Sequence, residues 1–67
     1  GEHHSRHDLA VLLSAIPASQ REAIVLTKIQ GLSVAEVSAS TGLSVGAVRV
    51  QVHRGLRKLV ELVRRSP

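Results

Sequence analysis

Only three residues, Gly42-Leu43-Ser44, separate two segments of helical periodicity, and this short join constrains the fold more than any other feature of the chain. Helices linked by so tight a turn cross at a steep angle rather than lying antiparallel. Glycine in the turn supplies the positive φ that other residues adopt only at a cost, and Leu43 is expected to plug the angle between the helices. The spacing is that of a helix-turn-helix.

The flanking patterns fit this reading. Ser33 and Glu36 have the spacing of a capping box, in which a hydroxyl and a carboxylate each satisfy an unpaired backbone N–H. Val34, Val37 and Thr41 then mark a short helix over about 34–41 that Gly42 ends. Ser44 caps a long helix over about 45–64. Val45, Val48, Val52, Leu56, Leu59 and Val63 advance by three or four and form one stripe, read as the inward face. Gly46, Val50, His53, Arg57 and Arg64 advance the same way on the opposite side, flanked by Arg49 and Arg54. Gly55 falls inward, where a missing side chain permits close packing.

Upstream, Asp8 is placed to cap a helix over about 8–15, which stops before Pro17 because the residue preceding proline is pushed out of the helical region. Leu9, Val11, Leu12, Leu13 and Ile16 are expected to face the rest of the bundle. Ser19 and Glu22 have capping-box spacing again, opening a helix over about 20–30. Its stripe is Ala23, Ile24 and Ile29, with Leu26 at the flank, Lys28 outward, and Gly31 as left-handed terminator. No run alternates as a strand does. The expected fold is all-α, a small four-helix domain over 8–67 containing a helix-turn-helix, with residues 1–7 a linker or tag remnant.

The chain has 67 residues and no cysteine, methionine or aromatic residue. Its core must be built from Val, Leu, Ile and Ala, and a chain this short buries a modest fraction of its surface. Disulfides and thiolate zinc sites are excluded, which fits a reducing, cytoplasmic setting. The missing aromatics remove the stacking platforms of single-strand binders, which favours duplex binding if nucleic acid is the partner. No apolar stretch approaches the roughly 18 residues of a membrane span, and no signal-peptide pattern opens the chain. No membrane insertion is expected. Beginning with Gly rather than Met, the chain reads as a module of a larger protein.

Charge is unevenly placed. From Gly1 to Gly31, Arg6, Arg21 and Lys28 balance Glu2, Asp8 and Glu22, whereas from Leu32 onward Arg49, Arg54, Arg57, Lys58, Arg64 and Arg65 face only Glu36 and Glu61, which accounts for the net +4. All the excess falls on the last helix. A polyanion is the natural partner, against the alternative of a solvated basic face.

At Ile16-Pro17, Gln20-Arg21-Glu22, Gly31-Leu32-Ser33, Glu36-Val37, Gly42-Leu43-Ser44-Val45-Gly46, Val48-Arg49 and Val52-His53-Arg54-Gly55-Leu56-Arg57-Lys58-Leu59 the chain resembles region four of a bacterial sigma factor of the extracytoplasmic-function group. The resemblance covers Leu9 to about Arg64 and is most specific from Ser44 to Leu59. It implies a C-terminal module that recognises the minus-35 promoter element in double-stranded DNA and docks on the beta flap of RNA polymerase core. An anti-sigma factor is an implied further partner. The resemblance implies no catalytic activity and no cofactor, and a module without region two is not expected to support initiation alone. Ser38, Thr41, Val50 and Gln51 depart from the usual pattern, so the base read near Val50 does not transfer.

In a helix-turn-helix the second helix lies in the major groove with its first turns against base edges. Arg49 has the donors to hold guanine O6 and N7, or to clamp a phosphate. Val50 is suited to a thymine methyl, though single exposed valines are common. Gly46 lets the backbone approach a phosphate attracted by the helix N-terminus. Ser44 could add its hydroxyl, but capping is its leading role. His53 is placed for a base or a phosphate; Arg54 and Arg57 for phosphates, with Glu61 as an alternative partner for Arg57. Lys58, Arg64 and Arg65 are peripheral. His3, His4 and His7 lack a carboxylate or thiolate to complete a metal site and read as tail, so no metal is expected.

An enzyme is not expected, since caps or a helix pair explain Glu22, Glu36 and Glu61. A LuxR-type output domain is the nearest alternative, but it carries a further dimerising helix after the recognition helix. A second alternative is a surface that serves mainly for anti-sigma binding.

Overall fold

Gly31 and Gly42 set the plan of the molecule. Both hold the left-handed conformation, with φ 77° and 80°, and each ends a helical run as the sequence leads one to expect. The computed structural model describes residues 9–65. Helical residues 9–14 form α1. Next come α2 (Ala18–Ile24), which continues directly into a π-helical stretch (Val25–Ile29), then α3 (Val34–Thr41) and α4 (Val45–Arg65). Among the described residues there is no strand. The cap expected at Asp8, the 1–7 linker and the histidines of the tail lie outside the described residues.

Of the two expected capping boxes, one forms. Ser33 Oγ accepts the Glu36 N–H at 3.0 Å, and Glu36 Oε1 accepts the Ser33 N–H at 2.9 Å. Ser44 Oγ likewise accepts the Ala47 N–H at 3.0 Å at the head of α4. The Ser19/Glu22 box does not form, because α2 begins at Ala18 with Pro17 as its N-cap. The Pro17 carbonyl accepts from Arg21 N at 3.0 Å, so Ser19 is already inside the first turn. Its hydroxyl instead donates to Gln51 Oε1 of α4 at 3.3 Å.

The expected α-helix over 20–30 also changes character halfway. Gln30 N donates to Val25 O at 2.9 Å, five residues back, and Leu32 N donates to Leu26 O at 2.9 Å. Thr27 Oγ1 donates to Ala23 O at 2.7 Å. That carbonyl is the one an α-helix would offer to Thr27's own N–H, and such competition by hydroxyls loosens the α ladder.

Leu13, Ile16 and Ile24 form the core cluster, with Val25, Leu59 and Leu62 packed against it. Ala23, Val37 and Val48 are also buried. The long α4 therefore serves both ends of the domain. Val48 near its start is buried along with Val37 of α3, and Leu59 and Leu62 near its end close over α1 and α2.

The inward stripe of α4 is not centred where the sequence pattern puts it. Val48 is buried and Val52 and Leu59 are half-buried, but Val45, Leu56 and Val63 are 40%, 38% and 54% exposed. Gly55 is buried instead, with Leu62 half-buried beside it. A Cβ on Gly55 would stand 2.5 Å from Ile24 Cδ1 and 3.2 Å from Gln20 Cβ. α2 approaches α4 closely at this glycine, so the contact line runs over Gly55 and turns Leu56 and Val63 outward. In α1, Leu13 and Ile16 are buried as expected, whereas Leu9 and Val11 are exposed.

Leu43 is exposed and does not plug the turn. Hydrogen bonds hold it instead. Ser38 Oγ donates to Leu43 O at 2.5 Å, Thr41 Oγ1 donates to Val37 O at 2.8 Å, and Leu43 N donates to Thr41 Oγ1 at 3.3 Å. The two polar residues that depart from the resembled pattern in α3 are thus the ones that fasten the turn.

Candidate nucleic-acid interface

The positions singled out on the last helix depend on what stands behind them. Val48 and Gly55, both buried, anchor α4 to the bundle, and the residues half a turn away are forced outward. Gly46, Arg49, Val50, His53, Arg54 and Arg57 are all exposed. Gly46, Val50, His53 and Arg57 follow one another at intervals of four, three and four, so they form one stripe along the outer face. Ser44 is exposed too, but its side-chain oxygen is engaged with Ala47 N, which makes capping its structural role. A Cβ on Gly46 would meet nothing within 4 Å, so the backbone there is open to a ligand.

Arg49 and His53, one turn apart, also face an open groove of about 230 Å³. Thr27 and Lys28 of the π-helical stretch, Val34 of α3, and Val52 and Leu56 of α4 complete its lining. Its floor is apolar and its rim is basic. Lys28 is therefore not an isolated outward charge but a neighbour of the reading helix. The linear sequence gives no sign of this grouping, because it depends on the packing of α2 against α4.

The alternative partner for Arg57 is not realised. Glu61 pairs with Arg65, Nη2 to Oε1 at 2.9 Å, with both side chains largely exposed. Such a surface pair contributes little to stability, about 0–1 kcal/mol. Among the described residues Arg57 has no ion pair and stays available to a phosphate. The described residues contain no group of three or more His, Cys, Asp or Glu side chains that could hold a metal ion. No helix among them is long and apolar enough to cross a membrane.

A short turn, a capped helix before it and a basic amphipathic helix after it are the defining parts of a helix-turn-helix. Residues 6–59 match the family described as Sigma-70, region 4. The chain belongs to that family. Relatives of this region 4 domain include RNA polymerase sigma factor CarQ of Myxococcus xanthus, 43% identical over 58 residues, which are 87% of this chain and 33% of that protein. The ECF RNA polymerase sigma factor SigD of Mycobacterium tuberculosis is 48% identical over 48 residues, 72% of this chain and 23% of that protein. The ECF RNA polymerase sigma factor SigF of Caulobacter vibrioides is 43% identical over 54 residues, 81% of this chain and 30% of that protein. The region 4 domain thus spans a third or less of the length of these relatives.

Proposed function

We propose that this region 4 domain is the DNA-reading module of an alternative sigma factor, which recognises a minus-35 promoter element and docks on the beta flap of RNA polymerase core. It acts by binding and carries out no reaction of its own. The observation that carries the reading is the outward stripe Gly46, Val50, His53 and Arg57, flanked by Arg49 and Arg54, on a helix fixed from behind by Val48 and Gly55. The names of the relatives, all RNA polymerase sigma factors, support the setting.

In this reading α4 lies in the major groove with its first turns against base edges. Arg49 donates two hydrogen bonds to guanine, Val50 packs on a thymine methyl, and His53 hydrogen-bonds deeper in the groove. The backbone at Gly46 approaches a phosphate, and Arg54 and Arg57 hold phosphates further along. Arg49→Ala is expected to weaken binding to the specific duplex by ~1–3 kcal/mol and to relax base preference, while Arg57→Ala weakens specific and scrambled duplexes alike. Equal losses on both duplexes for Arg49→Ala would make it a phosphate contact.

The same domain also offers apolar surface to a protein. Leu9 and Val11 of α1 and Ile29 at the end of the π-helical stretch are all about half exposed, and uncovered residues of this kind on a small domain suit docking on a polymerase subunit or an anti-sigma factor. Leu9→Ser with Val11→Ser should weaken capture by polymerase core while leaving duplex binding intact. Loss of both activities together would mean that the substitutions disturb the fold.

A further inference from the structure

The groove between the π-helical stretch and α4 carries a charge that the DNA-reading face alone does not account for. Lys28 lies on the π-helical stretch, in the half of the chain whose formal charges cancel, yet it shares the groove with Arg49 and His53. Lys28 follows Ile24, which packs against Gly55 of α4, by four residues and so stays on the side of its helix that faces α4. Thr27 and Lys28 both reach the groove from this stretch. Lys28 is exposed, and no ion pair engages it among the described residues.

We infer that Lys28 is a further DNA-positioning residue, which neutralises a backbone phosphate of the duplex read by α4. This rests on the DNA-reading function proposed above and extends its footprint onto a second element. Three observations support it. The groove is continuous with the outer face of α4 through Arg49 and His53. Its rim carries Lys28 and Arg49 and no carboxylate, which complements a phosphate backbone. Its apolar floor, with Val34, Val52 and Leu56, offers contact to the sugar faces between successive phosphates. In helix-turn-helix docking the element ahead of the reading helix crosses the DNA backbone, and the π-helical stretch precedes that element, α3, across the connection 30–33. A phosphate contact at Lys28 fixes register and orientation and adds no base preference.

The test compares salt dependence of binding by fluorescence anisotropy for the wild-type domain, Lys28→Gln, Lys28→Arg and Arg65→Gln, on the preferred duplex and a scrambled one. Arg65 is the charge-matched control, because it is paired with Glu61 and lies at the far end of α4. Lys28→Gln should reduce the log–log salt slope by about 0.9 on both duplexes, so that raising salt from 50 to 200 mM costs the wild type about 3.5-fold more affinity than the variant. Lys28→Arg should keep the wild-type slope, and Arg65→Gln should change it less than Lys28→Gln does. A wild-type slope in Lys28→Gln, or equal changes in Lys28→Gln and Arg65→Gln, overturns the assignment while leaving the reading face in place. A wild-type domain with no salt-dependent duplex binding overturns both. Loss of binding to an acidic protein partner in Lys28→Gln, with an unchanged duplex slope, reassigns the groove to that partner and overturns the inference.

Discussion

Gly46 and Gly55 stand nine positions apart on the same helix and face opposite environments. Gly46 has open space where a Cβ would go, and Gly55 has Ile24 and Gln20 there. Gly46 is the second residue of α4 and holds a conformation that alanine shares, so Gly46→Ala should stabilise the free domain by about 0.4–1 kcal/mol by restricting the unfolded chain. If the backbone there approaches a phosphate, the added methyl group should hold the phosphate away and weaken duplex binding. A rise in melting temperature together with a fall in affinity is the expected pair of results. Gly55→Val should act in the other direction. Overpacking against buried Ile24 costs about 1–3 kcal/mol, which outweighs the few tenths of a kcal/mol, roughly, that valine gains over glycine as a helix former. Urea unfolding would detect it as a lower midpoint at similar slope. Gly55 was legible in the sequence as a packing position, but the orientation of the helix around it was not. A hydrophobic pattern counts side chains, and the closest contact on α4 is made by a residue that has none. For that reason the stripe was centred toward Leu56 and Val63 rather than Gly55 and Leu62.

At the scale of elements, the same two letters at the same spacing gave different outcomes. Ser33 and Glu36 form a reciprocal cap, whereas Ser19 and Glu22 do not, because Pro17 starts its helix early enough to place Ser19 inside it. Local spacing identifies a possible cap, but the neighbouring residue decides where the helix begins. The formed box has a pH signature. Hydrogen bonds from the Ser33 backbone first, and then from its side chain, hold the Glu36 carboxyl below its ordinary value of 4.5. A carboxyl lowered in the folded state contributes stability that is fully present above its unfolded value and is lost as pH falls through the folded one. Thermal stability should therefore be level above about pH 5 with respect to this group and decline in acid. Glu36→Gln, which keeps an acceptor for the box, should flatten that part of the profile when melting is followed from pH 3 to 6. The π-helical stretch left no trace in the sequence pattern, and the Thr27 bond to the Ala23 carbonyl does not by itself mark it, since Thr41 makes the same bond to Val37 in the regular α3. Ser38 and Thr41 were visible as departures from a pattern, and their hydrogen bonds around Leu43 explain them.

For the whole molecule, the order of helices, the tight turn and the concentration of charge on α4 were all legible, because each rests on local spacing. The contribution of Lys28 was not, since it requires two elements to be placed side by side. The resulting domain has a structural face, closed by Val48, Gly55, Leu59 and Leu62, and a basic face with few internal partners. Two phosphates neutralised by Arg54 and Arg57 would give a log–log salt slope of roughly −1.8, and a third at Lys28 would steepen it by about 0.9. In the function proposed above, the outer face of α4 reads sequence and does not merely attract charge. Repeated selection of the domain against a random duplex pool at fixed salt tests this most directly. Enrichment of one short motif is expected, with single base-pair changes within it costing about 1–3 kcal/mol each. A pool that stays random while binding remains salt-dependent would contradict it.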